Sequence, residues 1–279
     1  MLRWIAVVAL AGCAGTPVSS KTPVASTKTP AAIGETFTIE SKVLGERRVI
    51  NVYVPPGYAK SAARYPVLYM PDGGLGEDFP HVVGSVDVSI KNAVIRPLIV
   101  VGVENTERRR DLAAETTVAE EKEAAPHAGG SDKFRAFLRD ELKPLIASRY
   151  RVTDESGIIG ESLAGLFVLE TFLVEPTLFD AYIAVDPSVW WNEQALVRHA
   201  NEKLAWWTAG ERHVYIATAD YEETQQAVAT LLTALRLNAP PGVTWTYEPM
   251  PDEQHGTIYP RAALRGIRTL YAAPPDDGT

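Results

Sequence analysis

The chain has 279 residues, 46% hydrophobic and 22% charged, which is typical of a globular protein long enough to bury a substantial core. Its formal net charge of −8 argues against a nucleic-acid partner, because an acidic surface repels phosphate groups. The single cysteine excludes a disulfide framework and a zinc site built from cysteines.

The first residues have the form of a bacterial lipoprotein signal. Arg3 is followed by an apolar run through Leu10, which is too short to span a bilayer and is typical of a secretory signal. The residues Leu10-Ala11-Gly12-Cys13 resemble a lipobox, in which the cysteine is lipidated and becomes the first mature residue. We therefore expect a signal peptide over residues 1–12 and a lipid anchor at Cys13. The anchor would place the protein in the bacterial cell envelope, on the periplasmic side or at the outer membrane.

Residues 13–33 predict a flexible tether, because they are rich in Pro, Ser, Thr and Lys and have no apolar periodicity. Such a tether lets an anchored domain stand away from its membrane. We expect residues 34–279 to form one folded domain.

The domain begins with two runs that alternate apolar and polar residues around a turn at Gly45, which predicts an antiparallel strand pair. Buried strands then alternate with helical periodicity. The predicted strands are Val67–Met70, Leu98–Val103, the run around Ile158-Ile159, AYIAV, HVYIAT and VTWTYEP. The predicted helices lie within residues 131–150, at Leu163–Val174, around Glu223–Leu237 and from about Tyr259 to Tyr271. This order predicts a three-layer α/β sandwich with a mainly parallel central sheet and antiparallel strands at its N-terminal edge.

One segment interrupts this alternation. Residues 106–130 are polar, charged and poor in large apolar side chains, so they predict a long surface excursion. Two interpretations stay open, a lid over a substrate pocket and a surface loop without fixed structure.

The stretch GIIGESLAGLFVLE predicts a nucleophile on a sharp turn between a strand and a helix, as in the α/β-hydrolase fold. Ser162 is the candidate nucleophile. Such a turn is crowded, so the residues two before and two after the nucleophile must be small, and here they are Gly160 and Ala164. The plain alternative for Ser162 is a helix N-cap.

A serine nucleophile needs a base, and in this fold the order along the chain is serine, acid, histidine. Of the five histidines, two precede Ser162 and are excluded by that order. His199 falls in a further predicted helix, between the strands AYIAV and HVYIAT, and His213 opens the second of these strands. His255 lies in the loop between the last strand and the final helix, where the base is expected, so we predict His255 as the base.

The acid is expected at the end of a strand between Ser162 and His255. Glu222, after the strand HVYIAT, is the preferred candidate, and Asp220 is an alternative beside it. Asp186, at the end of the preceding strand, is an alternative of another kind. Each of these acids also fits a role as a helix cap or a surface carboxylate.

Two sources of oxyanion donors are predicted. The first backbone N–H groups of the helix after Ser162 point toward the space beside the hydroxyl. The loop Asp72-Gly73-Gly74-Leu75 is a second source, because glycines let the backbone approach a substrate closely. The alternative for this loop is a simple turn.

Together these residues resemble the Putative esterase family of α/β-hydrolases, the group that contains esterase D and the trilactone-siderophore esterases. The resemblance covers nearly the whole chain from about residue 36. It is carried by the blocks VYVPPGY, YPVLYMPDGG, VGVENTERRRDL, GGSDKFRAFLRDELKPLIASRYRV, GIIGESLAGLFVLE, PTLFDAYIAVDPSVWWN and EQHGTIYPRAALRGIRTLY.

The resemblance implies a serine hydrolase of carboxylic esters, with Ser162 as nucleophile, His255 as base and Glu222 as the best match for the acid. It places the oxyanion donors at Leu163 and near Gly74. The sequence departs from the family pattern twice, since Ala164 replaces a usual glycine and Asp186 stands where relatives commonly have serine.

We expect a small-molecule ester as substrate, bound without a cofactor or metal. Trp190 and Trp191 are candidates for an aromatic pocket, and Arg110, within a run of three arginines, for contact with an anionic group. A siderophore trilactone or related aryl ester is the sharpest substrate hypothesis. The alternatives are a feruloyl or acetyl esterase acting on carbohydrate, an acyltransferase, and a surface binding protein with an inactive hydrolase fold.

Overall fold

The computed structural model describes residues 33–207 and 210–274 of the chain. The expected signal peptide over residues 1–12, the expected anchor at Cys13, and the expected tether up to residue 32 lie outside the described residues. Within the described ranges, no helix is both long enough and apolar enough to cross a bilayer.

The strands of the described residues form one sheet in the order β1-β2-β4-β3-β5-β6-β7-β8. Their bounds are β1 Glu35–Ser41, β2 Glu46–Tyr53, β3 Tyr65–Met70, β4 Ile99–Val103, β5 Val152–Glu161, β6 Ala181–Val185, β7 Arg212–Thr218 and β8 Val243–Pro249. β2 pairs antiparallel with β1 and β4, and all other neighbours are parallel. The predicted α/β class with antiparallel N-terminal strands at one edge is confirmed.

Helices cover both faces of this sheet. Their bounds are α1 Phe79–Lys91, α2 Arg108–Leu112, α3 Ala119–Ala124, α4 Ser131–Phe137, α5 Lys143–Arg149, α6 Leu163–Val174, α7 Trp191–Arg198, α8 Ala200–Ala205, α9 Glu222–Asn238 and α10 Ile258–Leu270. Residues of α1 and α10 join one apolar cluster, while those of α6 and α9 join the other. The three-layer arrangement follows from these two clusters.

The central strands are buried on both faces, which is why they appear in the sequence as continuous apolar runs. Every residue of β3, β4 and β6 is buried. Successive side chains go to opposite clusters, since Leu68 belongs to the cluster that contains α1 and α10, and Tyr69 belongs to the cluster that contains α6. α6 carries apolar residues on all sides, and all its residues from Leu163 to Leu173 are buried, including the polar Glu170 and Thr171.

The excursion over residues 106–130 has a defined path in the structure. It contains α2 and α3, and it is fastened to the sheet by the fully buried Arg48. The guanidinium of Arg48 donates to the Asp111 carboxylate, to the backbone oxygen of Glu104 at 3.0 Å and to the hydroxyl of Thr106 at 3.0 Å. The interpretation of this segment as a loop without fixed structure is therefore wrong.

Candidate active site

Ser162 lies on a strained turn between β5 and α6. Its backbone angles are φ 58° and ψ −119°, a conformation that is costly for a residue with a side chain and is typical of functional sites. The turn closes only because Gly160 has no side chain, since a Cβ there would lie 2.7 Å from atoms of Ala164. The small residues noted in the sequence are thus explained by the close approach of β5 and α6.

A continuous chain of hydrogen bonds joins three side chains at this turn. Ser162 Oγ lies 3.1 Å from Nε2 of His255, and Nδ1 of His255 lies 2.6 Å from Oδ2 of Asp186. His255 comes from the loop between β8 and α10, as predicted, and its side chain is 57% exposed, whereas that of Asp186 is 1% exposed. A solvent-facing imidazole between a hydroxyl and a buried carboxylate has the geometry of a catalytic triad.

Asp186 is held firmly at the carboxyl end of β6. The N–H of Ala219 donates to its Oδ1 at 2.9 Å, which leaves Oδ2 for the imidazole. Its own N–H donates to the Ala217 carbonyl at 2.7 Å, and its φ of 40° turns the chain sharply after the strand. Backbone contacts to β7 and to the residue just after it therefore set the direction of this carboxylate before any substrate binds.

The preference for Glu222 as the acid is wrong. Glu222 is the first residue of α9, where its exposed carboxylate accepts a hydrogen bond from Gln226 at 2.8 Å. Asp220 is also exposed, and neither carboxylate bonds to His255. The carboxylate that bonds to His255 comes instead from the end of β6, which lies in the sheet between β5, the strand before Ser162, and β7, the strand before Asp220 and Glu222.

Electrostatics adjust the imidazole for a role as base. The hydrogen bond to Asp186 raises the pKa of His255 above its ordinary value of 6.5, although burial acts in the opposite direction. Burial also raises the pKa of Glu161, next to Ser162, to about 7, with His255 opposing this rise and Asp78 adding to it. Glu161 therefore changes protonation near neutral pH, and His255 keeps its proton to a higher pH than an ordinary histidine does.

The two predicted oxyanion donors have different surroundings. Leu163 is the first residue of α6, so its N–H has no partner within the helix, and the residue lines the cavity in front of Ser162. The N–H of Gly74 donates to the Glu77 carboxylate at 2.7 Å, so in this structure it is not free to donate to an oxyanion. At the neighbouring position 73, packing requires glycine, because a Cβ on Gly73 would lie 2.3 Å from the backbone of Gly102.

Two cavities meet at Ser162. The first, of about 300 Å³, is bounded by α2, α3 and the start of α7, and the second, of about 270 Å³, is bounded by His255 and the start of α9. They share three residues, Ser162, Ser188 and Trp190. Trp190 is half-buried and forms a wall common to both.

The predicted pocket residues separate into two groups. Trp190 and Trp191 both line the first cavity, and the Trp191 indole N–H is fixed by a 3.0 Å bond to the Ala114 carbonyl. Arg110 lies elsewhere, because its guanidinium is directed to the carboxylates of Glu46 and Asp111. The prediction for Arg110 is therefore wrong.

Two neighbours of Arg110 line the first cavity instead. The guanidinium of Arg108 makes a bidentate pair with Asp72, at 2.7 and 2.8 Å, while Arg109 is exposed and donates to the Ala124 carbonyl. The run of arginines thus presents Arg109 as its accessible charge at this cavity.

The excursion forms one wall of the first cavity through α3. Glu121 lines the cavity and accepts hydrogen bonds from the Asn192 N–H at 3.0 Å to each carboxylate oxygen. Asn192, Glu193 and Gln194 all have positive φ values, so this contact secures an unfavourable left-handed turn. The position suits a lid, and movement of the segment stays a prediction.

Over residues 33–207 and 210–274, no three His, Cys, Asp or Glu side chains lie close enough together to hold a metal ion.

A family model described as Putative esterase matches residues 41–234. The chain belongs to this family. It is 26% identical over 259 residues to the ferri-bacillibactin esterase BesA of Bacillus subtilis (strain 168), covering 83% of this chain and 87% of that protein. A siderophore enterobactin esterase of Emericella nidulans is 33% identical over 80 residues, 28% of this chain and 26% of its own length.

The fold is shared with solved structures of esterases. An IroE-like serine hydrolase from Shewanella oneidensis superimposes with a TM-score of 0.79 at 26% identity, covering 85% of this chain and 80% of that one. Family membership and this similarity make the protein an ester-hydrolysing enzyme.

Proposed function

We propose that the protein is a serine carboxylesterase that works through an acyl-enzyme, with Ser162 as nucleophile, His255 as base and Asp186 as acid. The observation that carries this proposal is the hydrogen-bond chain from Ser162 Oγ through the imidazole to the buried carboxylate. The strained backbone at Ser162 supports it, because a simple helix N-cap does not require a positive φ.

The geometry provides for each proton in the reaction. His255 Nε2 takes the proton of Ser162 as Oγ bonds to the ester carbonyl carbon, and it then gives that proton to the departing alcohol. In the second half of the reaction, His255 takes a proton from the water that attacks the acyl carbon, and it returns a proton to Ser162 Oγ as the acyl bond breaks. Asp186 keeps Nδ1 protonated and stabilises the imidazolium. The free N–H of Leu163 is placed to stabilise the oxyanion, and such a donor contributes about 3 kcal/mol.

The two cavities give the substrate a direction. The departing alcohol must lie within reach of His255 Nε2, which lines the second cavity together with Tyr221 and Thr224. Leu163, beside the oxyanion, lines the first cavity. We infer that the alcohol part of the ester occupies the second cavity and the acyl part the first.

A siderophore trilactone or a related aryl ester is the substrate that we propose. The first cavity offers two indole walls and an accessible guanidinium at Arg109, which suits a hydroxylated aromatic group. The names of the relatives support the same class, since one is a ferri-bacillibactin esterase and another a siderophore enterobactin esterase.

A labelling experiment tests the enzyme assignment. A fluorophosphonate probe should label the wild type, and Ser162→Ala should abolish labelling, whereas an inactive binding protein would not react. A hydrolysis panel of p-nitrophenyl esters, a feruloyl ester and a siderophore trilactone then tests the substrate. Trilactone cleavage no faster than that of simple esters would remove the siderophore proposal and leave the esterase proposal standing.

We further propose that Cys13 carries a lipid anchor to the cell envelope. The support is the lipobox-like sequence that ends at this residue and the tether-like composition after it. Metabolic labelling with an alkynyl fatty acid in a bacterial host should mark the wild type in the membrane fraction and should not mark Cys13→Ser. A variant labelled as strongly as the wild type would contradict the anchor.

A further inference from the structure

Ser188 places a second hydroxyl beside the nucleophile. The residue is 4% exposed, and its Oγ lies 3.3 Å from Ser162 Oγ, its one side-chain hydrogen-bond partner among the described residues. Its backbone N–H donates to the Ser162 carbonyl at 2.9 Å. Ser188 also lines both cavities that meet at the nucleophile. A buried hydroxyl whose partner is the reacting oxygen lies within the reaction centre.

The direction of this hydrogen bond follows from counting protons. The Asp186 carboxylate can only accept a hydrogen bond, so in the neutral ring of His255 the facing nitrogen, Nδ1, carries the proton. Nε2 is then a hydrogen-bond acceptor. The hydroxyl of Ser162 has one proton, which it donates to Nε2 at 3.1 Å. The bond between the two serines therefore has Ser188 as donor and Ser162 Oγ as acceptor.

We propose that Ser188 is a catalytic hydrogen-bond donor to Ser162 Oγ, an inference that rests on the proposed serine-esterase function. As the Ser162 proton moves to His255 and Oγ bonds to the carbonyl carbon, Ser188 keeps its own proton and stabilises the negative charge on Oγ. In deacylation the bond from Oγ to the acyl carbon breaks, and its electron pair returns to Oγ. Ser188 stabilises that departing oxygen until His255 protonates it.

The contribution is specific to the transition states. A hydrogen bond to a charged oxygen is roughly twice as strong as one to a neutral oxygen, and it is shorter. At 3.3 Å the bond is long in the resting enzyme, and it strengthens as charge develops on Ser162 Oγ. An interaction that is stronger in the transition state than in the ground state accelerates the reaction.

The test compares Ser188→Ala with Ser188→Thr, which keeps the hydroxyl, and with Ser89→Ala, which removes a fully buried serine hydroxyl from α1. For each protein the measurements are the rate of fluorophosphonate labelling, kcat and KM for p-nitrophenyl butyrate from pH 5 to 9, and Tm. We expect Ser188→Ala to lower the labelling rate and kcat by about 10- to 100-fold, the range for a hydrogen bond to a charged group.

The other readouts separate a catalytic role from a structural one. For a donor to Oγ, KM and the midpoint of the acid limb stay at wild-type values, Ser188→Thr recovers most of the rate, and Ser89→Ala keeps wild-type activity. If Ser188 only positioned Asp186, two residues before it, the acid limb would move with the rate, and that result overturns the proposal. If Ser188→Ala does not fold, Ser188→Cys replaces it, with a rate well below that of Ser188→Thr expected because a thiol is a weak donor.

Two failures are distinguishable. A wild type that the probe does not label overturns the proposed function itself. A wild type that is labelled, with Ser188→Ala within threefold of it, overturns the role of Ser188 alone.

Discussion

Asp186→Asn tests the structural assignment of the acid most directly. The carboxylate is 1% exposed, and its Oδ2 lies 2.6 Å from Nδ1 of His255, so the substitution preserves shape and removes the charge. With Oδ1 still accepting from the Ala219 N–H, the new amide NH₂ faces Nδ1 as a donor. The ring must then carry its proton on Nε2, the nitrogen that should receive the proton of Ser162.

The expected loss follows from this reversed tautomer. In triads where the same change leaves the geometry intact, kcat falls by about 10⁴-fold. Each tenfold change corresponds to about 1.4 kcal/mol, so the predicted rise in the barrier is about 5 kcal/mol. The matched control is Glu222→Gln, which removes a carboxylate that is exposed on α9 and bonds to Gln226 rather than to the imidazole.

The pH profile gives the prediction a second signature. The Asp186 carboxylate raises the pKa of His255 above 6.5, and the imidazole acts as a base only when it is neutral. In the wild type, kcat/KM therefore rises with pH, and the midpoint of that rise lies above pH 6.5. Loss of the carboxylate lowers that pKa, so the midpoint of the residual activity moves to lower pH.

The assay is hydrolysis of p-nitrophenyl butyrate between pH 5 and 9 by the wild type, Asp186→Asn and Glu222→Gln. Glu222→Gln should remain within twofold of the wild type over the whole range. Two results would refute the reasoning, namely Asp186→Asn within tenfold of the wild type, or Glu222→Gln with the larger loss.

Three further changes probe the surroundings of the triad. Glu161→Gln removes a carboxyl with a pKa of about 7 whose charge raises the pKa of His255. The acid limb of the pH profile should therefore move to lower pH, by less than in Asp186→Asn, and a shift to higher pH would contradict this. Gly160→Ala places a Cβ 2.7 Å from atoms of Ala164, so we expect a lower Tm and no labelling by the fluorophosphonate probe. A variant that is as stable as the wild type and is labelled would show instead that the turn can relax. Tyr221→Ala removes an aromatic contact from the second cavity, where we place the alcohol part of the ester. For esters of aryl alcohols, kcat/KM should therefore fall by about 2- to 10-fold relative to methyl esters, while a series of esters that varies only the acyl group keeps its order.

Much of the fold could be predicted from local sequence patterns. Apolar runs marked the buried strands, and the order of strands and helices predicted the parallel sheet with its antiparallel edge. The short helices α2 and α3, within the polar excursion, were not predicted. Helix α1 was also missed, because FPHVVGSVDVSIK is rich in valine and serine, which have modest helix propensity. Its buried residues Phe79, Val82, Val83 and Val86 nevertheless have helical spacing, so periodicity was a usable signal.

The sequence by itself determined two members of the proposed triad, because each depends on a local constraint. Ser162 was identified by the small residues that its turn requires, and His255 by its position between the last strand and the last helix. The acid depended on a distance between elements. Asp186 and Glu222 follow neighbouring parallel strands, whose carboxyl ends meet at one edge of the sheet, so chain order could not distinguish them.

Tertiary structure alone decided which side chains face the substrate. Adjacent residues on a helix point about 100° apart, so at most part of the run Arg108-Arg109-Arg110 could face one cavity. The buried pair of Arg48 and Asp111 fixes the rotation of α2, which directs Arg110 to Glu46 and leaves Arg109 at the cavity. The partners that set this rotation are far apart along the chain, and only folding brings them together.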